Sequence, residues 1–83
     1  MCVSGTRCDC CYKWESDRHG NVPKKAVVAG FTSDGEPLYI ARGYVCGERV
    51  VGKVHESHGC AYFPYGGEEK SEREYEVLVW RKD

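Results

Sequence analysis

No run of apolar residues in this 83-residue chain approaches the roughly 20 that a membrane-spanning helix requires. The beginning of the chain also lacks an apolar stretch of the secretory-signal kind, so the cytoplasm is the expected location, with secretion or membrane association left open. Basic residues do not cluster. Twelve Lys and Arg stand against thirteen Asp and Glu, a formal charge of −1, and the two signs interleave along the chain. Phosphate backbones are held by clustered cations, so nucleic acid is not an expected partner. A phosphate-binding glycine loop, a nucleophile elbow and the helical His-Glu-x-x-His arrangement are all missing. The expectation is therefore a protein with no catalytic residues, no metal and no cofactor. Helix signals are scarce as well, because every long segment is interrupted by Gly, Pro or β-branched residues. Neither a linker nor an internal repeat divides the chain. At this length it makes one domain with a small core.

What the sequence does contain is strand signal. Ala26 to Phe31 is a short apolar run, and the turn Ser33-Asp34-Gly35-Glu36 follows it with the Asp-Gly dipeptide favoured in hairpins. Pro37 opens a second strand from Leu38 to Tyr44, with Leu38, Ile40, Arg42 and Tyr44 on one face and Tyr39, Ala41 and Gly43 on the other. Cys46-Gly47-Glu48 marks a turn, Val50 to His55 a third strand, and Cys60 to Phe63 another. In the last, Glu74 to Arg81, Tyr75, Val77 and Val79 alternate with Glu74, Glu76, Leu78 and Trp80. The charged segment Glu68 to Glu74 reads as a solvated turn and strand edge. The expected fold is all-β, a small antiparallel sheet or sandwich of about six short strands with little helix.

Six cysteines complicate the outline. Cys2, Cys8, Cys10 and Cys11 crowd residues 1–12, which are expected to form a leader, with residues 13–83 as the single β domain. A thiolate metal site, a disulfide framework and lipid attachment at Cys10 or Cys11 are each conceivable. So is a flexible leader with incidental thiols. Adjacent Cys10 and Cys11 would point apart in an extended segment, which weighs against a shared metal.

Two constellations in the body carry chemistry. Lys53 follows Gly52 and lies between Val51 and Val54, so its ammonium rises from a strand at a local bend. The first hairpin brings the short oxygen-bearing side chains Thr32, Ser33 and Asp34 toward it. A cationic donor beside such acceptors can clasp vicinal hydroxyls, which suits a sugar. His55-Glu56-Ser57-His58, with Cys60 nearby, invites a metal or nucleophile reading. In an extended strand His55 and His58 would face opposite sides, and no third group orients Cys60. A polar turn before the Cys60 strand is the expectation there. The aromatics fall mostly at strand positions, where packing explains them.

A resemblance runs through these same residues. Trp14, Gly20-Asn21-Val22-Pro23, Ala26-Val27, Ala29-Gly30-Phe31, Asp34-Gly35, Leu38 to Arg42, Gly52-Lys53-Val54, Ala61-Tyr62, Gly66-Gly67-Glu68 and Tyr75 to Leu78 together resemble the DM-nine repeat family. The resemblance implies an all-β fold and lectin activity toward mannose-type sugars in innate recognition. It implies that Lys53 binds sugar. The position of an acidic companion in sugar-binding members corresponds to Thr32, with Asp34 as the candidate substitute and Glu68 as a further acceptor. Members often carry the repeat in tandem, whereas this chain holds one copy, so a homodimer is expected, each chain supplying what a second copy would. Two rival readings are a non-catalytic protein-interaction module on the same fold and a thiol metal-binding protein.

Overall fold

The computed structural model describes residues 11–81; the readings of Cys2, Cys8 and Cys10 lie outside them. Seven strands follow one another: β1 Tyr12–Arg18, β2 Val28–Phe31, β3 Pro37–Val45, β4 Glu48–His55, β5 Cys60–Tyr65, β6 Glu68–Glu72 and β7 Glu74–Trp80. They form one antiparallel sheet in the order β1-β7-β3-β4-β5-β6, with β2 alongside the start of β3. A single 3-10 turn, Glu56–His58, is the only helical element among the described residues. The all-β expectation holds, and the sheet has seven strands where about six were expected.

The two strands without a counterpart in the sequence reading are β1 and the charged β6. They are the two ends of the strand order. An end strand needs only one set of backbone partners and a polar outer rim, so its sequence carries little apolar alternation. β1 places Lys13, Glu15 and Asp17 at alternate positions, yet it pairs with β7 along its full length, from Tyr12 opposite Trp80 to Arg18 opposite Glu74. β6 is drawn into the sheet by the hairpin at Gly66 and Gly67, whose φ values of 62° and 79° are the left-handed pair that a two-residue hairpin requires. That turn sets Tyr65 opposite Glu68 and Pro64 opposite Glu69.

Alternation divides the sheet into two faces. Ala41, Val45, Val54, Ala61, Phe63, Tyr75, Val77 and Val79 form the buried core on the inner face. Phe63 is the largest of its fully buried members. Burying such a side chain contributes about 1.5–3 kcal/mol. The sheet wraps over this ring because two inward positions carry no side chain: a Cβ on Gly43 would lie 2.9 Å from Phe63 Cζ, and one on Gly52 2.6 Å from Phe63 Cδ1. The connection from β1 to β2 closes the open side. Val22 and Ala26 pack on the core, the Tyr75 hydroxyl donates to the Asn21 carbonyl at 2.8 Å, and His19 N–H donates to the Arg73 carbonyl. Burial pushes the Tyr75 phenol up to about 12. The alternation read along the last strand is the one observed, with Tyr75, Val77 and Val79 inward.

Candidate functional site

With the core residues turned inward, the outer face of β3, β4 and β5 carries the chemistry. Ile40, Lys53 and Tyr62 lie side by side in register across these strands. They belong to a cavity of about 700 Å³, whose walls also include Leu38, Val51, Pro64 and, from the β2 hairpin, Ala29 and Thr32. Most of the surface that lines it is apolar. Lys53 makes no ion pair and no hydrogen bond among the described residues, whereas the ion pairs found join Lys13 with Glu15, Arg42 with Glu76, His55 with Glu36 and Lys70 with Glu68.

The side of the cavity toward the 3-10 turn is a hydrogen-bonded wall. Glu36, at the foot of β3, receives the Ser57 N–H at 2.9 Å and the Ser57 hydroxyl at 2.8 Å. It also receives His55 Nε2 at 3.1 Å, so this nitrogen carries the proton. These contacts, the Ser57 N–H first, then its hydroxyl and His55, hold the Glu36 carboxyl below its ordinary value. They fasten the turn to the hairpin. As a result His55 and His58, which an extended chain would separate, stack with ring centroids 3.6 Å apart. His58 Nδ1 then lies 2.8 Å from the Tyr62 hydroxyl, and both histidines border the cavity. A hydrogen bond with Cys60, followed by partial burial, raises the Tyr62 phenol above its usual value. The expected polar turn is present, and among the described residues no group of three or more His, Cys, Asp and Glu side chains is placed to hold a metal.

The sequence candidates are only partly brought together. Lys53 and Thr32 share the cavity. Asp34 does not line it: it sits exposed on the hairpin, its N–H donating to Thr32 Oγ1 at 3.2 Å. Glu68 is also outside, at the β5–β6 hairpin, paired with Lys70 at 2.9 Å. Its neighbour Glu69 is the carboxylate that reaches the lining. The signal for Glu69 was present in Gly66-Gly67: a two-residue hairpin fixes the pairing, and Pro64 opposite Glu69 places Glu69 on the face of Tyr62 and Lys53. Glu36 and Tyr62 carried no comparable local signal.

A second cavity, of about 590 Å³, lies where β1, β3, β4 and β7 meet. Two of the three arginines in its lining, Arg42 and Arg49, are already engaged. The Arg42 guanidinium lies over Trp14 at 4.3 Å and donates to Glu76 at 2.6 Å, and Arg49 donates to the Tyr44 hydroxyl at 2.9 Å. Four carboxylates, Asp17, Glu72, Glu74 and Glu76, share that lining with Arg18, whereas the Lys53 cavity has one, Glu69, and Lys53 has no partner among the described residues, which makes it the stronger candidate.

One antiparallel sheet with its apolar side chains turned inward and a lysine-bearing cavity on its outer face defines a small all-β domain. A family model described as DM9 repeat matches residues 2–72, and the chain belongs to the DM9 repeat family. Natterin-3 of Thalassophryne nattereri is 32% identical over 71 residues, a match that takes in 86% of this chain but 17% of that protein. The chain thus spans a small part of the relative's length. No helix among the described residues is long and apolar enough to cross a membrane.

Proposed function

We propose that this chain is a non-catalytic, carbohydrate-binding module of lectin type, with Lys53 as the residue that donates to sugar hydroxyls. The observation that carries the reading is the Lys53 ammonium, unpaired among the described residues, in a cavity of about 700 Å³ that also holds Thr32. An ammonium with three free N–H donors can bridge neighbouring hydroxyls of one ring, and the Glu69 carboxylate can accept from others. Membership of the DM9 family supports the same reading and suggests mannose-type glycans as the ligand class, in an innate-recognition role. A single shallow site binds weakly. Pairing of two chains, each offering a site, would raise retention on a multivalent glycan without any new contact. A cytoplasmic location completes the proposal.

Titration with mannose and with mannan, on wild type and Lys53→Ala, tests it. Binding by wild type and its loss in the variant is the expected result; equal binding by the variant removes the site, and no binding to any glycan removes the function. Sedimentation of the intact chain at micromolar concentration reads the pairing directly, and a stable monomer refutes it. A protein-interaction module is the second reading, favoured by Phe31, 66% exposed beside Thr32, and by Val51, 59% exposed on the cavity wall.

A further inference from the structure

Sugar hydroxyls both donate and accept, but the groups around this cavity do so unevenly. Lys53 contributes N–H donors only. Thr32 Oγ1 already accepts from Asp34 N–H at 3.2 Å and from Glu36 N–H at 3.1 Å, so both lone pairs are occupied and its hydroxyl is left as a donor. Glu36 is committed to His55 and Ser57 through both of its oxygens. Asp34 and Glu68 stand outside the lining. Glu69 is the one lining carboxylate among the described residues, and it sits opposite Pro64, two residues along β5 from the Tyr62 that faces Lys53. Between the two charges stand Tyr62 and Pro64 of β5, while Leu38 and Ile40 of β3 lie on the other side of Lys53.

We infer that the cavity prefers an acidic saccharide, a sugar ring bearing a carboxylate, over its neutral counterpart. The inference rests on the carbohydrate-binding reading and adds the class of sugar. The carboxylate lies against Lys53 and the Thr32 hydroxyl, where donors are in excess. The ring hydroxyls lie toward the Glu69 carboxylate, and the C–H faces of the ring cover Tyr62 and Pro64. A neutral ring would place a hydroxyl against Lys53 and gain a hydrogen bond with charge on one side only. A carboxylate there adds the attraction of opposite charges to that bond. Glu69 fixes the direction of the ligand by repelling the carboxylate from the other end, which also disfavours ligands with an acid at both ends.

The test compares methyl α-mannoside with the uronate formed by oxidising its C6 to a carboxylate, a pair that differs only at that carbon. Chemical-shift titration of the intact chain reads affinity and, through the amides of Lys53, Tyr62 and Glu69, position. The acidic sugar should bind about two- to fivefold more tightly than the neutral one, the range of an exposed ion pair, and the difference should shrink as salt is raised. Lys53→Gln should equalise the two sugars, while Glu69→Gln should weaken both. Because Lys53 and Glu69 are exposed, neither change threatens folding. Equal or tighter binding of the neutral sugar overturns the inference and leaves the carbohydrate-binding reading standing. Failure of both sugars to bind overturns the two together. Acetate bound as tightly as the uronate would show a bare anion site and overturn the assignment to a saccharide.

Discussion

Replacing Gly52 by Ala adds one methyl group at the point where the core and the cavity face share a strand. The added Cβ would lie 2.0 Å from the Tyr62 carbonyl oxygen and 2.6 Å from Phe63 Cδ1. Non-bonded atoms rest at about 3.5 Å, so β5 would have to retreat by roughly 1.5 Å from β4. The obstacle is backbone held in the β4–β5 ladder, next to the Lys53–Tyr62 pair, and no rotamer change can relieve it. Overpacking a core costs about 1–3 kcal/mol when side chains can adjust, so about 3 kcal/mol or more is expected here. A domain of this size has roughly 4–12 kcal/mol of stability in all. The midpoint of thermal unfolding should therefore fall by at least about 12 °C, at 4–8 °C per kcal/mol. Two further glycines make the comparison internal. At Gly43 the nearest atom is Phe63 Cζ at 2.9 Å, the end of a ring that can tilt, so Ala should cost about 1–2 kcal/mol. At Gly30 nothing lies within 4 Å, and Ala should fall within about 0.5 kcal/mol of wild type. Urea unfolding followed by tryptophan fluorescence, with thermal melts by circular dichroism, gives the order. A Gly52→Ala protein as stable as Gly30→Ala, or more stable than Gly43→Ala, would refute the packing argument.

Glu36→Gln should destabilise the fold at neutral pH by loosening the 3-10 turn. A carboxyl held below its ordinary 4.5 stabilises the native state above that pH and loses the contribution as pH falls through the folded-state value, so wild type should show an acid-side loss that the Gln variant lacks. Urea midpoints at neutral pH and below pH 4.5 check this, and parallel pH profiles would contradict it. Tyr75→Phe removes the hydroxyl bond to Asn21 and should cost about 1 kcal/mol. The phenol keeps its proton in the folded state up to about 12 against 10 when unfolded, so wild-type stability should decline across that alkaline interval and the Phe variant should not share this component. Unfolding midpoints measured up to pH 12 decide it.

The inner half of this fold was legible because burial imposes period two on the sequence. Tyr75, Val77 and Val79 alternate with polar or rim residues and are the inward positions of β7. β1 and β6 were not legible for the complementary reason. At the ends of the sheet, Lys13, Glu15 and Asp17 in one strand and Glu68, Glu69 and Glu72 in the other are placed by backbone pairing, which leaves no apolar period to read. At the site the division is between near and far. Lys53 and the Thr32 hairpin could be found from local signals. The stacked His55 and His58 could not, because the turn that joins them is fastened by Glu36, 21 residues before Ser57.

Gly52 and Lys53 show how the two faces depend on each other. Gly52 faces the core with no side chain, and its missing Cβ is the space into which the Tyr62 carbonyl approaches. That approach is also what holds Tyr62 opposite Lys53 on the outer face. Any larger residue at Gly52 would push back the strand that presents Tyr62 and, two residues on, Pro64. A change made to the core would thus be read out as a change in the cavity. The reverse does not hold: Lys53 is exposed and unpaired among the described residues, so its removal should leave the core intact. Lys53→Ala should therefore separate binding from stability, while Gly52→Ala should lose both together. A Gly52→Ala protein that remains folded but binds glycan as wild type does would break this link between core and cavity.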